Sequence, residues 1–131
     1  SLNSGAVLKK KKTRRKASPR KAAMREADRL WSLLVRGRDG GRCQWPGCPN
    51  AGNNAHHAFS RRHLGVRWCV DVGVTLCWAH HFHTAHGEPE LFRDFLIKRW
   101  GEDKFDTLKA LAYLPQKVDV GMVLIGLKQL V

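Results

Sequence analysis

The feature that most constrains this chain is the concentration of cysteine and histidine in one short segment. All four cysteines and all seven histidines lie between Cys43 and His86, in a chain of 131 residues. A first-row metal ion is the simplest reason to gather thiolates and imidazoles so closely. A bound metal also contributes folding free energy, so such a chain can fold around a modest apolar core.

Two closely spaced pairs of potential ligands define the first candidate site. Four residues separate Cys43 from Cys48, and two separate Cys77 from His80. Two such pairs supply the four ligands of a closed tetrahedral zinc site, so we expect a structural Zn²⁺ here. The alternative is that the cysteines are small core residues and His80 is a surface histidine. Cys69 is expected to be a buried free thiol, unless it replaces one of the four.

Positive charge is concentrated at the N-terminal end. The formal charge is +13, and residues 1–40 carry 13 of the 24 Lys and Arg side chains. We predict that residues 1–17 form a disordered basic tail, followed by one zinc-containing domain over 18–131. We expect this tail to bind nucleic-acid phosphates without sequence preference. The alternative is a solvated tail that only aids solubility. Its candidate nucleic-acid contacts are Lys9, Lys10, Lys11, Lys12, Arg14 and Arg15.

Composition also excludes several classes of function. The longest apolar run, from Met122 to Leu127, is too short to span a bilayer, and no signal-peptide segment follows Ser1. We therefore expect a nucleic-acid partner, no membrane and no small-molecule cofactor. Cysteines mixed with histidines favour a reduced, cytoplasmic zinc protein over a disulfide scaffold.

Local patterns predict helices around a short two-stranded unit. Ser18 and Pro19 are typical of a helix start, and this helix should end before Asp39, with Trp31 as a core anchor. Trp68 and Trp78 are also expected in the core. The other predicted elements are strands over 56–59 and 70–76 and helices over 76–86, 88–100 and 103–113. The last stretch, 118–130, is helix or strand, and we expect a helix.

The adjacent pair His56-His57 marks a second candidate site. Neighbouring residues of a strand point to opposite sides, so one ring can face a metal while the other faces a water. A basic loop, a second strand and a helix that carries His81 follow this pair. The order of elements is therefore strand, basic loop, strand and helix.

The segment from His56 to His81 resembles the HNH (ββα-metal) endonuclease family, in particular its phage recombination-associated type. The residues that carry the resemblance are His56-His57, Ser60-Arg61-Arg62-His63, Arg67-Trp68, Asp71-Val72 and Cys77-Trp78-Ala79-His80-His81. The likeness covers roughly residues 30–113. It implies an α+β fold, with a small zinc-stabilised ββα-metal core flanked by helices. It also implies metal-dependent hydrolysis of DNA phosphodiester bonds during phage recombination or DNA processing, leaving a 5′-phosphate.

The resemblance further assigns roles to individual residues. His57 matches the general base, which takes a proton from the attacking water. His56 and His81 match ligands of a catalytic Mg²⁺ or another divalent metal, and His86 is the expected third ligand. In the loop between the strands, the expected contacts to DNA phosphates are Arg61, Arg62 and Arg67, the alternative being a solvated face.

One position departs from the family pattern. Val72 stands where the family has an Asn that orients the general base, so we expect a loosely held base and weakened activity. The alternative function is therefore a non-catalytic, zinc-stabilised DNA-binding accessory protein. A third reading, an RNA-binding zinc-ribbon protein, leaves His56-His57 and His81 unexplained. The expected partners are DNA and a recombination protein, in the cytoplasm of a bacterial host if the chain is phage-derived.

Overall fold

The computed structural model of the protein describes residues 17–131. The candidate DNA contacts at 9–12, 14 and 15 lie outside these residues. Within the described part, no helix is both long enough and apolar enough to cross a membrane.

The described chain is mainly helical, with one two-stranded sheet, which confirms the predicted α+β class at this level. A 3₁₀ turn precedes the second strand, and a π-helix follows it. The elements are α1 (Pro19–Arg38), β1 (Asn54–His57), α2 (Leu64–Arg67), the 3₁₀ turn (Val70–Val72), β2 (Gly73–Leu76), the π-helix (His80–Ala85), α3 (Pro89–Trp100), α4 (Glu102–Tyr113) and α5 (Val120–Leu130).

Both ends of the first helix fall where the sequence predicts them. The Ser18 side chain accepts a hydrogen bond from the backbone N–H of Lys21, and Pro19 occupies the first helical position. The helix expected in the last stretch is confirmed, since α5 covers Val120–Leu130. The carboxylate of Asp119 caps this helix by accepting a hydrogen bond from the N–H of Met122.

The strands differ from their predicted bounds. β1 begins at Asn54 and ends at His57, two residues earlier than expected at each end. β2 spans only Gly73–Leu76, because the three residues before it form the 3₁₀ turn. That turn still continues the pairing, since the Ala58 N–H donates to the Val72 carbonyl at 3.0 Å. The short helix α2 inside the basic loop was not predicted.

The two strands pair antiparallel, and their alternation separates the two sides of the hairpin. His57 lies opposite Gly73, and His56 lies opposite Val74. On one side, Gly73 packs against α1. On the other side, Val74 and Leu76 join the apolar cluster of α3 and α4. The prediction that the adjacent histidines face opposite sides is therefore confirmed.

Two clusters of buried side chains hold the helices on the hairpin. The first joins α1 to α2, α4 and α5, and Trp31 is only 1% exposed within it. The second joins β2 to α3 and α4 and includes the thiols of Cys43 and Cys77. Trp68 is buried as expected, but Trp78 is 61% exposed, so that core prediction is wrong. Trp78 instead stacks on Phe82, one turn further along.

Asp39 fixes the end of α1 to the rest of the fold. Its carboxylate accepts hydrogen bonds from the side chains of Arg38 and Arg99 and from the backbone N–H of Thr75. These donors come from α1, α3 and β2. The buried carboxylate is therefore fully partnered, as a buried charge requires.

Gly73 allows α1 to lie directly against β2. A Cβ atom at this position would overlap the Val35 side chain and lie 2.8 Å from the Trp31 ring. Both of these side chains are buried in α1 and have no room to move aside. The backbone of Gly73 is ordinary extended chain, so the reason for glycine here is space and not conformation.

We expect Gly73→Ala to lower the free energy of unfolding by about 1–3 kcal/mol, because it overpacks the contact with α1. The matched control is Gly126→Ala, since an added Cβ there meets nothing within 4 Å in the middle of α5. That change should stabilise the helix by about 0.5–1 kcal/mol. Urea denaturation measures both, and equal effects would contradict the packing argument.

Candidate metal centre and histidine cavity

Three cysteines and one histidine lie close together at the C-terminal end of β2. The Cys43 Sγ lies 3.4 Å from the His80 Nδ1, the Cys77 Sγ lies 3.2 Å from the same atom, and the two sulfurs of Cys48 and Cys77 are 3.9 Å apart. A tetrahedral zinc with bonds of about 2.0–2.3 Å separates its ligand atoms by about 3.5–3.8 Å. The predicted ligand set is therefore assembled, and its donor chemistry and spacing fit a structural Zn²⁺.

Backbone turns and an aromatic side chain place these ligands. The Cys48 N–H donates to the Trp45 carbonyl at 3.0 Å, which closes a tight turn in which Gly47 has a φ of +78°. The Trp45 ring also stacks on the His80 imidazole with 5.3 Å between centroids. Cys77 directly follows β2, so the sheet sets the position of the second ligand pair.

The thiols of the cluster differ in acidity. Burial raises the pKa of Cys43 to about 11. Burial acts in the same direction on Cys77, but hydrogen bonds from the backbone and ring of His80 outweigh it and lower the pKa of Cys77 to about 6. Cys77 is therefore the more readily ionised of these two thiols, and thiolates are the form that binds zinc.

Cys69 lies outside this cluster. It is half-buried, and its carbonyl accepts a hydrogen bond from the Trp31 indole N–H at 2.8 Å. Cys69 therefore replaces none of the four predicted ligands.

His56, His81 and His86 form a second group of potential metal ligands. The Nδ1 atoms of His56 and His81 are 3.2 Å apart, close to the separation of about 3.0–3.4 Å expected for two imidazoles on one metal. The His86 ring stands perpendicular to both others, with centroids 5.2 and 4.8 Å away. All three residues predicted as ligands of the catalytic metal are therefore brought together.

The π-helix explains how His81 and His86 meet. They are five residues apart, and in an α-helix that spacing turns two side chains away from each other. The wider i→i+5 turn of a π-helix brings them to the same side. His83 lies outside the group and sits edge-on to the exposed Trp78 ring. Sequence spacing alone gave no signal for this local widening of the helix.

His57 faces the other side of β1, against α1. Its ring stacks on Trp31 with centroids 3.7 Å apart and a 10° angle between the planes. Its Nε2 lies 2.9 Å from the carbonyl oxygen of Arg67. A carbonyl only accepts, so Nε2 carries the hydrogen, and in the neutral ring the Nδ1 lone pair is free.

These contacts correct the expectation of a loosely held ring at position 57. Val72 is fully buried in the α1 cluster, so its side chain is part of the core. The Arg67 carbonyl supplies the hydrogen bond that Val72 cannot, and Trp31 fixes the plane of the ring. A backbone acceptor and a stacking partner are difficult to recognise in a sequence, because neither depends on a polar residue at the expected position.

His57 and the three-histidine group line one cavity of about 760 Å³, although His56 and His57 point to opposite sides of β1. Arg61 and Asp28 form part of its wall. The cavity is mostly bounded by β1, α1 and the π-helix, and its members are Asp28, Trp31, Ser32, Ala55, His56, His57, Ala58, Ser60, Arg61, His81, Ala85 and His86.

The loop arginines occupy three different environments. Arg67 is 12% exposed and lies 2.7 Å from the Asp28 carboxylate, so much of its charge is compensated. Arg61 contacts the same carboxylate at 2.9 Å but is 59% exposed beside the histidine cavity. Arg62 is exposed and lines a separate cavity with His63. Asp28, which sequence reasoning missed, organises this loop and also accepts from the Trp68 indole.

Burial keeps the paired histidines neutral. It lowers the pKa of His56 to about 3, and repulsion from His81 and His86 adds to the effect. It lowers the pKa of His57 to about 4, partly opposed by the hydrogen bond to Arg67. Neutral imidazole is the form that binds metals and accepts protons.

Comparisons of this chain with protein families, with curated proteins and with solved structures found no match.

We expect the purified protein to hold Zn²⁺ at the Cys₃His cluster. Cys48→Ser should weaken this binding and Cys69→Ser should leave it unchanged, because Cys48 belongs to the ligand cluster and Cys69 does not. Metal analysis by mass spectrometry and thermal melting measure the effect. Loss of a zinc ligand should lower the melting temperature, since metal binding and folding are coupled. Equal zinc content in the two variants would contradict the assignment.

We expect His57 to make the protein less stable in acid. Its folded pKa of about 4 lies below the value of about 6.5 for an unfolded histidine. The unfolded state therefore binds the extra proton, and the stability present above about pH 6.5 is lost as the pH falls toward 4. With saturating zinc, acidification should lower the free energy of unfolding more in the unchanged protein than in the His57→Gln variant. Equal losses in urea denaturation would contradict the shift.

Proposed function

We propose that this protein is an HNH-type endonuclease that hydrolyses phosphodiester bonds of DNA with a divalent metal. The observation that carries the proposal is one cavity that combines a three-histidine ligand group with a separately oriented neutral histidine. The hairpin and helix that bear them follow the order of elements in the family that the sequence resembles. A Cys₃His cluster beside them serves a structural role in this proposal.

His56, His81 and His86 would hold the catalytic metal, Mg²⁺ or another divalent ion. Three neutral imidazoles favour a borderline metal such as Ni²⁺ or Zn²⁺ over Mg²⁺ and Mn²⁺, which prefer oxygen ligands. When bound, the metal supplies charge stabilisation at the phosphate and the leaving oxygen.

His57 acts in this proposal as the general base. Its Nδ1 takes the proton from the attacking water, while its Nε2–H stays bonded to the Arg67 carbonyl. That carbonyl also stabilises the imidazolium that forms, in the way that an acceptor supports a catalytic histidine elsewhere. Stacking on Trp31 keeps the ring in place through the reaction.

Positive charge around the cavity supports binding of the substrate. Arg61 extends an exposed guanidinium at the cavity wall, and the basic residues before position 17 add charge without sequence preference. The basic residues predict contacts to phosphates and not to base edges. We therefore propose that DNA structure or a recombination protein directs the cutting.

We expect the protein to nick supercoiled plasmid when Mn²⁺, Ni²⁺ or Mg²⁺ is added, and His57→Ala to reduce the rate by roughly 10²–10⁴-fold. His81→Ala should abolish the nicking that depends on added metal. The matched control is His83→Ala, which removes a histidine of the same helix outside the ligand group. Gel electrophoresis follows nicking, and zinc content and melting temperature verify that each variant is folded.

The alternative is a non-catalytic, zinc-stabilised DNA-binding protein, which the sequence suggests because Val72 replaces the Asn of the family pattern. In that case plasmid is shifted on a gel but stays intact with every added metal, and His57→Ala changes nothing. Restoring Asn at Val72 is a poor test, because the site is fully buried among apolar side chains.

A further inference from the structure

A second cavity opens beside the histidine group, on the side of α3 and α4. Its volume is about 340 Å³, and it shares His56, Ala58 and Ala85 with the larger cavity. The two cavities therefore adjoin at these three residues. Its remaining wall includes Arg93 from α3 and Lys109 and Tyr113 from α4.

Arg93 and Lys109 are cations without an ion-pair partner in the part of the chain that the structure describes. Both are exposed, and among residues 17–131 neither has a carboxylate oxygen within 4.0 Å. The guanidinium of Arg93 lies 5.6 Å above the centre of the buried Phe105 ring. This contact restrains Arg93 while leaving its N–H groups available. Arg61 and Arg67, by contrast, already share the carboxylate of Asp28.

Tyr113 adds an aromatic surface to the same cavity. It is 60% exposed at the last residue of α4, and its ring packs against the His63 imidazole with 4.5 Å between centroids. An exposed ring that is supported from behind is a suitable platform for a nucleobase. Two exposed cations and an exposed aromatic ring therefore line the same second cavity.

We infer that this second cavity binds the DNA strand that leaves the metal site, with Arg93 and Lys109 on its phosphates and Tyr113 stacked on an unpaired base. The inference rests on the proposed function, because it places the strand relative to the cleaved bond. A base can reach Tyr113 only when it is not held in a duplex stack. The cavity therefore predicts a preference for DNA with single-stranded segments, such as flaps, gaps or branches.

Binding separates this inference from the nuclease activity. In the His57→Ala background, with stoichiometric zinc and no other metal, fluorescence anisotropy measures the Kd for a labelled single strand and for a duplex of about 12 nucleotides. Adding Arg93→Gln and Lys109→Gln should weaken binding of both by roughly tenfold and lower the salt slope by about 2. The control is Lys98→Gln with Lys128→Gln, which removes the same charge at two other exposed positions.

Tyr113 distinguishes stacking from charge. Tyr113→Leu should raise the Kd for the single strand by roughly tenfold and change the Kd for the duplex by less than about twofold. Tyr113→Phe should retain single-strand binding, because it keeps the aromatic ring. The inference is overturned if the Arg93 and Lys109 variant matches its control, or if Tyr113→Leu affects both DNAs equally. A protein that never cleaves DNA but shows the expected Kd changes would disprove the nuclease and retain the subsite.

Discussion

The close approach of α1 to the hairpin at Gly73 is the contact on which the rest of this structure depends. Without a side chain at that position, Val35 and Trp31 lie directly on β2. Because Gly73 is the partner of His57 in the strand register, the same gap lets the Trp31 ring cover the imidazole of His57. One missing methyl group thus joins the packing of the longest helix to the orientation of the candidate base.

The Cys₃His cluster and the histidine cavity are mechanically connected. His80 belongs to the first and His81 to the second, and they are consecutive residues at the start of the π-helix. Any ion that fixes His80 also fixes the beginning of the helix that carries His81 and His86. A zinc ion held by the Cys₃His cluster would therefore support the histidine group beside it.

Carboxylates determine which of the many cations stay available. Asp28, in the middle of α1, neutralises Arg67 and part of Arg61, and Asp39 does the same for Arg38 and Arg99 at the C-terminal end of the helix. In both cases burial of the carboxylate is offset by several hydrogen bonds, which hold its pKa below the usual range. The net charge alone therefore overstates how many basic side chains are free to bind an anion.

The sequence by itself determined the ligand types, their grouping into two pairs, the start of α1 and the opposite directions of His56 and His57. These follow from local rules, since ligand chemistry, capping and strand alternation depend on neighbouring residues. Only the tertiary structure decided the π-helix that joins His81 to His86, the exposure of Trp78 and the acceptor of the His57 hydrogen bond. Each of these depends on contacts between distant segments or on backbone atoms. Because every residue carries the same backbone carbonyl, the sequence does not show which one accepts a hydrogen bond.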